Sequence, residues 1–305
     1  MLKKILKKMK MKFKNNKLCP NWITGFSDAE SNFSIRIIKD KNRKVGWRIL
    51  PIFCIELHKK DILLLKQIQS FFNVGSIYIH RSNLAYTVQS FDDLSKVIIP
   101  HFNKYPLITQ KRSDFFLFKL IVNKLKNNEQ AYFEGLQNII NIRASINKGL
   151  SNKLLDNFPN TIPFNRPKIN FYSIVHPNWL VGFVDGEGCF YVKPTKSGFN
   201  INMSISQHSR DELLLNEIIN YLNCGIIEKP ITRPNITNFV VYKFSDICEK
   251  IIPFFNNNPL QGIKSLDFQD FCKVVNIKNK PQLTLEDIEL IRKIKFGMNR
   301  GRTFN

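Results

Sequence analysis

The sequence predicts an α+β fold made of two pseudo-symmetric αββαββα domains, each with one four-stranded antiparallel sheet. A nine-residue pattern, W-x-x-G-F-x-D-small-E, occurs at 22–30 and again at 179–187. Each copy precedes segments in which apolar and polar residues alternate, as they do in half-buried strands. The order of the remaining segments also repeats in the two halves. Repetition at this spacing indicates a duplicated domain.

Length, composition and charge restrict the class of protein. The chain has 305 residues, of which 43% are hydrophobic, enough for two globular domains with their own cores. No apolar run approaches the roughly 18 residues that a membrane span needs, so we expect no membrane partner. The net charge is +22, from 46 Lys and Arg against 24 Asp and Glu. Such an excess indicates a polyanionic partner, and nucleic acid is the leading candidate.

Composition also predicts the domain boundaries. Residues 1–17 contain eight lysines and no acidic residue, which is typical of a solvated basic tail. Residues 18–150 form the first predicted repeat domain and 178–305 the second. Between them, residues 151–177 hold four prolines and read as a linker without helices or strands of any length.

The elements of the first half follow from periodicity. Proline at position 20 suits the first turn of a helix carrying the first motif copy. Strands are predicted at 31–39 and 46–57, an amphipathic helix at 59–72, strands at 76–80 and 84–90, a helix near 92–102 and helices within 110–150. On the first strand, Phe33, Ile35 and Ile37 face the core, whereas Asn32, Ser34 and Arg36 face outward.

The second half repeats this order. Segments 189–195 and 199–207 alternate as strands, the helical segment 211–225 matches 61–75, and 258–268 matches 105–115. A strand pair near 226–230 and 238–244 and a helix near 246–255 complete the unit. Antiparallel sheets tolerate one solvated face. The outward rows of both sheets carry polar side chains, so each sheet is expected to present a hydrogen-bonding surface.

The motif has a stripe of small residues when it is helical. Gly25 and Ala29 lie on one helix face, as do Gly182 and Gly186. Such stripes let helices approach more closely than usual, so we expect the two copies to pack together. Asp28 and Asp185 lie on another face of their helices. We assign them to helix capping and to hydrogen bonds at the interface.

Packing of the motif helices would bring Glu30 and Glu187 together where each helix meets its first strand. Paired carboxylates repel each other unless a cation lies between them. Hard divalent cations such as Mg²⁺ favour oxygen ligands, and such a site suits phosphodiester hydrolysis. The alternative is that both glutamates merely flank the interface.

At these residues the chain resembles the LAGLIDADG homing endonucleases, in the single-chain, two-repeat form encoded in fungal mitochondrial introns. The motif copies ITGFSDAES and LVGFVDGEG carry the resemblance, which covers about residues 18–305. Position 31 is Ser, where the family name has Gly. The resemblance implies a mitochondrial monomer that makes a metal-dependent double-strand break in a long DNA target and leaves short 3′ overhangs.

The resemblance also implies roles for individual residues. Glu30 and Glu187 would bind Mg²⁺ with the backbone carbonyls of Ala29 and Gly186, and Mn²⁺ or Ca²⁺ would also fit. Lysines after a proline in each repeat would lie near the attacking water, and a polar residue at the end of the second strand would order water. The matching residues here are Lys111, Lys264 and Gln207. Leu57 stands opposite Gln207, so the two cleavage centres should be unequal. His58 and His208 match each other, and we interpret both as surface residues at a helix start.

The outward rows of the sheets are the expected DNA-reading surface. The major groove admits β-ribbons, and two sheets related by a pseudo-twofold axis would straddle it as a saddle. The expected contacts are Asn32, Ser34, Arg36, Arg48, Tyr78 and His80 in the first half, and Tyr191, Lys193, Asn200, Asn202, Ser204 and Lys243 in the second. Because the two sets differ, the target should be an imperfect palindrome.

Two other functions fit the sequence. An RNA maturase of this fold would bind intron RNA and need no cleavage. A catalytically inactive, sequence-specific DNA-binding protein would keep the basic surface. The presence of both Glu30 and Glu187 favours the nuclease.

Overall fold

The computed structural model describes residues 17–169, 173–195 and 198–302. Two four-stranded antiparallel sheets with accompanying helices confirm the predicted α+β class. By internal contacts the chain divides into two units. One comprises Met1–Ala29, Lys59–Gln67 and Tyr172–Asn305, and the other comprises Glu30–His58 and Ile68–Phe171. The predicted basic tail, apart from Lys17, lies outside the described residues.

The first half of the chain follows the predicted order of elements. They are α1 (Pro20–Glu30), β1 (Ser31–Lys39), β2 (Trp47–His58), a 3₁₀ turn (Lys59–Asp61), α2 (Ile62–Phe72), β3 (Ser76–His80), β4 (Asn83–Val88), α3 (Phe91–Asp93), α4 (Ile99–Lys104), α5 (Lys111–Lys126), a 3₁₀ turn (Glu129–Ala131) and α6 (Phe133–Arg143). The described part of the predicted linker contains a short helix, α7 (Asn152–Asn157), so the expectation of no helix there was too strict. All four prolines of the linker follow this helix in sequence, so none of them interrupts it.

The second half repeats the order. Its elements are α8 (Pro177–Glu187), β5 (Gly188–Thr195), β6 (Gly198–His208), a 3₁₀ turn (Ser209–Asp211), α9 (Glu212–Leu222), β7 (Ile226–Glu228), β8 (Ile236–Val241), α10 (Phe244–Asp246), α11 (Ile252–Asn257), α12 (Lys264–Lys278), α13 (Leu285–Phe296) and a 3₁₀ turn (Asn299–Gly301). The strand predicted to reach residue 244 ends at Val241. Lys243 therefore lies outside the sheet, at the N-cap position of α10.

Each sheet buries one face against aromatic side chains. The strand orders are β1-β2-β4-β3 and β5-β6-β8-β7. In one unit Phe33 packs against Phe102, Phe115 and Phe118, at ring-centroid distances of 5.2 to 5.5 Å. In the other, Phe190 packs in the same way. Its partners are Phe255, Phe268 and Phe271, at 5.2 to 5.6 Å. The two hydrophobic cores are thus packed in equivalent ways.

A π-helical turn interrupts the same helix in each half. Residues Leu94–Ile98 join α3 to α4, and Ile247–Ile251 join α10 to α11. Each turn comes just before a proline, Pro100 or Pro253, near the start of the following helix. Proline lacks an N–H and crowds the preceding turn, so local widening of the helix accommodates it. Among the described residues, no helix is long and apolar enough to cross a membrane.

Candidate active site

The two motif helices cross at their glycines. A Cβ atom added to Gly25 would lie 1.9 Å from the carbonyl oxygen of Trp179, and one added to Gly182 would lie 2.1 Å from that of Trp22. No side chain larger than hydrogen fits either position. The crossing confirms that these glycines form a contact stripe between α1 and α8.

Reciprocal hydrogen bonds fix the crossing. Trp22 Nε1 donates to Asp185 Oδ2 at 2.8 Å, and Trp179 Nε1 donates to Asp28 Oδ2 at 2.8 Å. All four residues are buried. Buried carboxylates need such donors because desolvation is costly. The bonds confirm the interface role expected for Asp28 and Asp185.

Asp185 also holds the loop that precedes α12. The backbone N–H groups of Gln261 and Gly262 donate to its two oxygens, at 2.8 Å and 3.3 Å. Burial raises the pKa of Asp185 to about 6, although these bonds, the Trp22 bond and the charge of Lys264 act in the opposite direction. The three N–H donors, from Trp22 and the two backbone groups, favour the ionised form of this carboxyl group.

Lys264 reaches the end of the motif helix. It is the first residue of α12, and its Nζ donates to the carbonyl oxygens of Val184 at 3.0 Å and Gly186 at 2.7 Å. These carbonyls belong to the last turn of α8, where the helix dipole favours a cation. The next residue, Glu187, is half-buried and ends the helix. The structure thus brings together two of the predicted site residues, Lys264 and Gly186, directly before Glu187.

The other predicted catalytic residues are dispersed over the two units. Gln207 is half-buried near the end of β6, where it pairs with Thr237. Ala29 and Glu30 are the last two residues of α1, and both are half-buried. In the second unit, Lys111 is the first residue of α5. The approach of Glu30 to Glu187 stays a prediction.

The donor atoms suit a hard cation. Within the described ranges, no group of three or more His, Cys, Asp or Glu side chains could hold a metal ion. A site at Glu187 would therefore combine carboxylate with backbone oxygens. The Gly186 carbonyl already accepts a hydrogen bond from the ammonium group of Lys264. Oxygen donors of this kind are the ligands that Mg²⁺ and Ca²⁺ prefer.

The predicted DNA-reading residues follow the outward rows of both sheets, except Lys243. Asn202 lies in the outward row but differs from the other residues in it, because its side chain is buried and only 3% exposed. It pairs across the strands with Tyr191, and its Oδ1 has no hydrogen-bond partner among the described residues. The surface interpretation of His208 is supported, because its Nδ1 accepts a hydrogen bond from Arg210 N. The remaining outward residues are exposed or half-buried, namely Asn32, Ser34, Arg36, Arg48, Tyr78, His80, Tyr191, Lys193, Asn200 and Ser204.

Sequence reasoning missed a clip that secures the first strand of each sheet. Asn147 Nδ2 donates to the carbonyl of Phe33 at 2.8 Å, and Asn299 Nδ2 donates to that of Phe190 at 2.9 Å. Both asparagines adopt a left-handed backbone conformation, with φ of 53°. A repeated Asn-x-Gly at 147–149 and 299–301 was the available signal. Because β1 and β5 are edge strands, these bonds cover exposed backbone next to the site.

Arginine and aspartate complete each clip. Arg166 pairs with Asp114, whose Oδ1 also accepts from the backbone N–H of Asn147 at 2.8 Å. Arg302 pairs with Asp267 in the same way, at 2.7 Å. Arg166 lies in the predicted linker, so this segment has a structural role within its unit.

The comparisons with known proteins agree with this arrangement. The family model of the LAGLIDADG endonucleases matches residues 23–122 and 180–275. A probable intron-encoded endonuclease 2 of Neurospora crassa is 39% identical over 292 residues, which cover 91% of this chain and 64% of the relative. An uncharacterised mitochondrial protein RF1 of Saccharomyces cerevisiae is 27% identical over 332 residues, with 99% and 64% coverage. The chain thus spans less than two thirds of the length of these relatives.

Solved structures match over nearly the full chain. The LAGLIDADG homing endonuclease I-GzeII, in complex with its DNA target, is 42% identical with a TM-score of 0.89, and the match covers 94% of this chain and 100% of that one. I-SmaMI bound to cleaved DNA is 41% identical with a TM-score of 0.91, at 95% and 99% coverage. I-SmaMI has also been solved on uncleaved DNA in the presence of calcium ions, with 41% identity, a TM-score of 0.89, and 93% and 99% coverage.

Proposed function

Because the chain belongs to the LAGLIDADG endonuclease family, we propose that it is a site-specific homing endonuclease. It makes a metal-dependent break in both strands of a long DNA target and leaves short 3′ overhangs. The observation that carries the proposal is the bond from Lys264 Nζ to the Gly186 carbonyl, directly before the acidic end of a motif helix. A helix crossing alone would serve any two-repeat protein, whereas we propose that a lysine at this acidic helix end serves catalysis.

Four residues would hold the metal. The carboxylates of Glu30 and Glu187, with the carbonyls of Ala29 and Gly186, form an all-oxygen donor set suited to Mg²⁺. When bound, Mg²⁺ supplies an activated water and stabilises charge on the leaving oxygen. Mn²⁺ and Ca²⁺ would fit the same donors, and the calcium-containing I-SmaMI structure supports a divalent site in the family.

The chain's own side chains orient the attacking water. Lys111 and Lys264, at the starts of matching helices, lie in the two cleavage centres and take part in proton transfer to and from water. Gln207 orders water in one centre. Leu57 stands at the matching position and has no group for this task, so the two strands are cut at unequal rates.

The outward row of each sheet reads part of the DNA target, and the protein acts as a monomer because one chain holds both motif copies. The outward residues named above, apart from the buried Asn202, contact bases or phosphates, and Lys243 does so from beside the sheet. A net charge of +22 makes binding weaken steeply with salt. Since the two rows differ, the target is an imperfect palindrome.

We retain 18–150 and 178–305 as the two repeat domains, with 1–17 as a tail and 151–177 as the linker.

We place the protein in the mitochondrion. The support is the similarity to intron-encoded endonucleases of fungi and to a mitochondrial protein of yeast. No observation on the structure favours the maturase alternative, which would add intron RNA as a partner.

Cleavage of a randomised DNA library tests the proposal. The purified chain is incubated with the library and Mg²⁺, and the cut ends are sequenced. A single long, imperfectly palindromic target with short 3′ overhangs is expected. Enrichment of bound DNA without any cut ends would instead support a binding protein, and the absence of both would refute DNA recognition. A splicing assay with the cognate intron RNA then tests for maturase activity separately.

A further inference from the structure

We infer that Asp61, in the first repeat, is a positioning residue for Lys264, in the second. This inference rests on the proposed function, since it concerns the lysine of one cleavage centre. The two residues are separated by 203 positions in sequence. Asp61 lies in the 3₁₀ turn before α2, and Asp61 Oδ1 accepts a hydrogen bond from the backbone N–H of Ile263 at 3.3 Å.

Two carboxylates hold the loop that leads into α12. Asp185 accepts from the N–H groups of Gln261 and Gly262, and Asp61 accepts from that of Ile263. Three successive N–H groups therefore point at acidic side chains. The N-cap residue of α12 is Ile263, which has no side-chain cap of its own. Asp61 instead accepts from the N–H of this N-cap residue, and the negative charge of its carboxylate complements the dipole at the start of α12.

The loop is closely packed against the same groups. A Cβ atom added to Gly262 would lie 3.1 Å from Leu64, 3.6 Å from Asp185 and 3.7 Å from Asp61. Glycine thus lets the backbone approach both carboxylates. Movement of either acid would shift the loop itself.

The loop determines the position of the Lys264 backbone at the start of α12. Lys264 directly follows Ile263, and its side chain must reach back to Gly186 to make the 2.7 Å bond. Loss of the Asp61 contact frees the backbone immediately before the lysine. A misplacement of about 1 Å in a catalytic group costs roughly a hundredfold in rate. Asp61 itself acts only through the loop, so its effect should be confined to the centre that Lys264 serves.

Strand-resolved cleavage separates positioning from general damage to the fold. The target duplex carries a different fluorophore on each strand, and single-turnover rates are measured for both. Lys264→Ala identifies the strand that Lys264 serves. Asp61→Ala is expected to slow the same strand about 10- to 100-fold and to leave the other within a few-fold. The double variant should be little slower on that strand than Lys264→Ala alone, because both changes remove one function.

Two further variants control for folding and charge. Asp61→Asn keeps an oxygen that accepts the Ile263 N–H, so it should cut both strands at close to the original rates. Asp92→Ala removes an exposed acid of the same repeat, paired with Lys96, and should change neither strand. Thermal melting of each variant reports whether the fold persists.

The outcomes are distinct. Failure of the unmodified protein to cut refutes the proposed function itself. If it cuts but Asp61→Ala slows both strands equally, slows the opposite strand or has no effect, the positioning role is wrong. Selective loss of the Lys264 strand, rescued by Asp61→Asn, supports it.

Discussion

Trp22 donates a buried 2.8 Å hydrogen bond to Asp185, which lies 163 residues later in the chain. Trp179 donates an equivalent bond to Asp28. Each motif copy thus contributes one donor and one acceptor to the other. This exchange explains why the pattern contains both a tryptophan and an aspartate at fixed spacing.

Removal of the Trp22 donor should destabilise the protein. Trp22→Phe keeps the aromatic packing but leaves Asp185 with one fewer hydrogen bond, at a cost of about 1–3 kcal/mol. Chemical denaturation measures the change in unfolding free energy. Trp47→Phe is the matched control, because Trp47 lies in β2 and makes an aromatic contact with Phe158. Equal stability of the two variants would show that the indole bond is unimportant.

The crossing glycines should not tolerate alanine. In an ordinary helix, Gly→Ala stabilises by about 0.5–1 kcal/mol. At Gly25 and Gly182 the new methyl would meet a backbone carbonyl at 1.9 and 2.1 Å, which forces the helices apart. We expect Gly25→Ala and Gly182→Ala each to lower stability by roughly 1–3 kcal/mol or more. A melting temperature at or above that of the unmodified protein would contradict the close crossing.

Stability should fall in mild acid because of His101. Burial lowers the pKa of His101 to about 4, and its ring lies against Phe71, Phe72 and Phe102. An unfolded histidine titrates near pH 6.5, so between about 6.5 and 4 only the unfolded state takes up the proton. The unfolding free energy should therefore drop by up to about 3 kcal/mol as the pH falls through this window, and be unaffected by this group above it.

His101→Phe provides the matched variant. The second half carries Phe254 at the equivalent position, where it packs against Tyr221 and Phe255. The variant should lose most of the acid-dependent decline, as measured by denaturation at several pH values. An unchanged slope would mean that other groups cause it.

The two half-sites should differ in their dependence on thymine methyl groups. The outward row of β2 carries Leu50, Ile52 and Cys54, where β6 carries the exposed Asn200, the buried Asn202 and the half-buried Ser204. Apolar side chains contact the thymine methyl group in the major groove, whereas asparagine reads adenine by hydrogen bonds.

Deoxyuridine lacks that methyl group and tests the difference. Each contacted thymine replaced in the first half-site should weaken binding about fourfold, from roughly 0.8 kcal/mol per methyl group. Replacement in the second half-site should have little effect. Leu50→Asn should reduce the sensitivity of the first half-site. Equal sensitivity of both half-sites would rule out this assignment.

Local patterns predicted most of the fold and only part of the site. The period of two in β1 and β6 identified both faces of each sheet, because successive side chains of a strand point to opposite faces. The glycine spacing predicted the helix crossing. Neither pattern predicts which residues, distant in sequence, a given side chain will contact in the folded protein. The role of Lys264 at the site was therefore available only as a family expectation, and neither its bond to Gly186 nor the bond from Ile263 N–H to Asp61 was predicted.

Errors arose where tertiary contacts override local preference. Asn202 was assigned to an exposed row, but it is buried on that face beside Tyr191. Lys243 continued an alternating pattern, yet the backbone turns there to begin α10. Arg166 lay in a proline-rich stretch that we interpreted as a linker. It pairs with Asp114, which also accepts from the backbone N–H of Asn147, a residue whose role has no local signature besides Asn-x-Gly.

The paired glutamates are the central claim, and substitution of both tests it most directly. A Glu30→Gln, Glu187→Gln double variant keeps the size and shape of both side chains and removes their charge. Cleavage and binding of the selected target are measured with Mg²⁺, beside the unmodified protein. We expect the variant to bind the target with little change and to cut neither strand. Undiminished cutting by the double variant would contradict the assignment of the metal site.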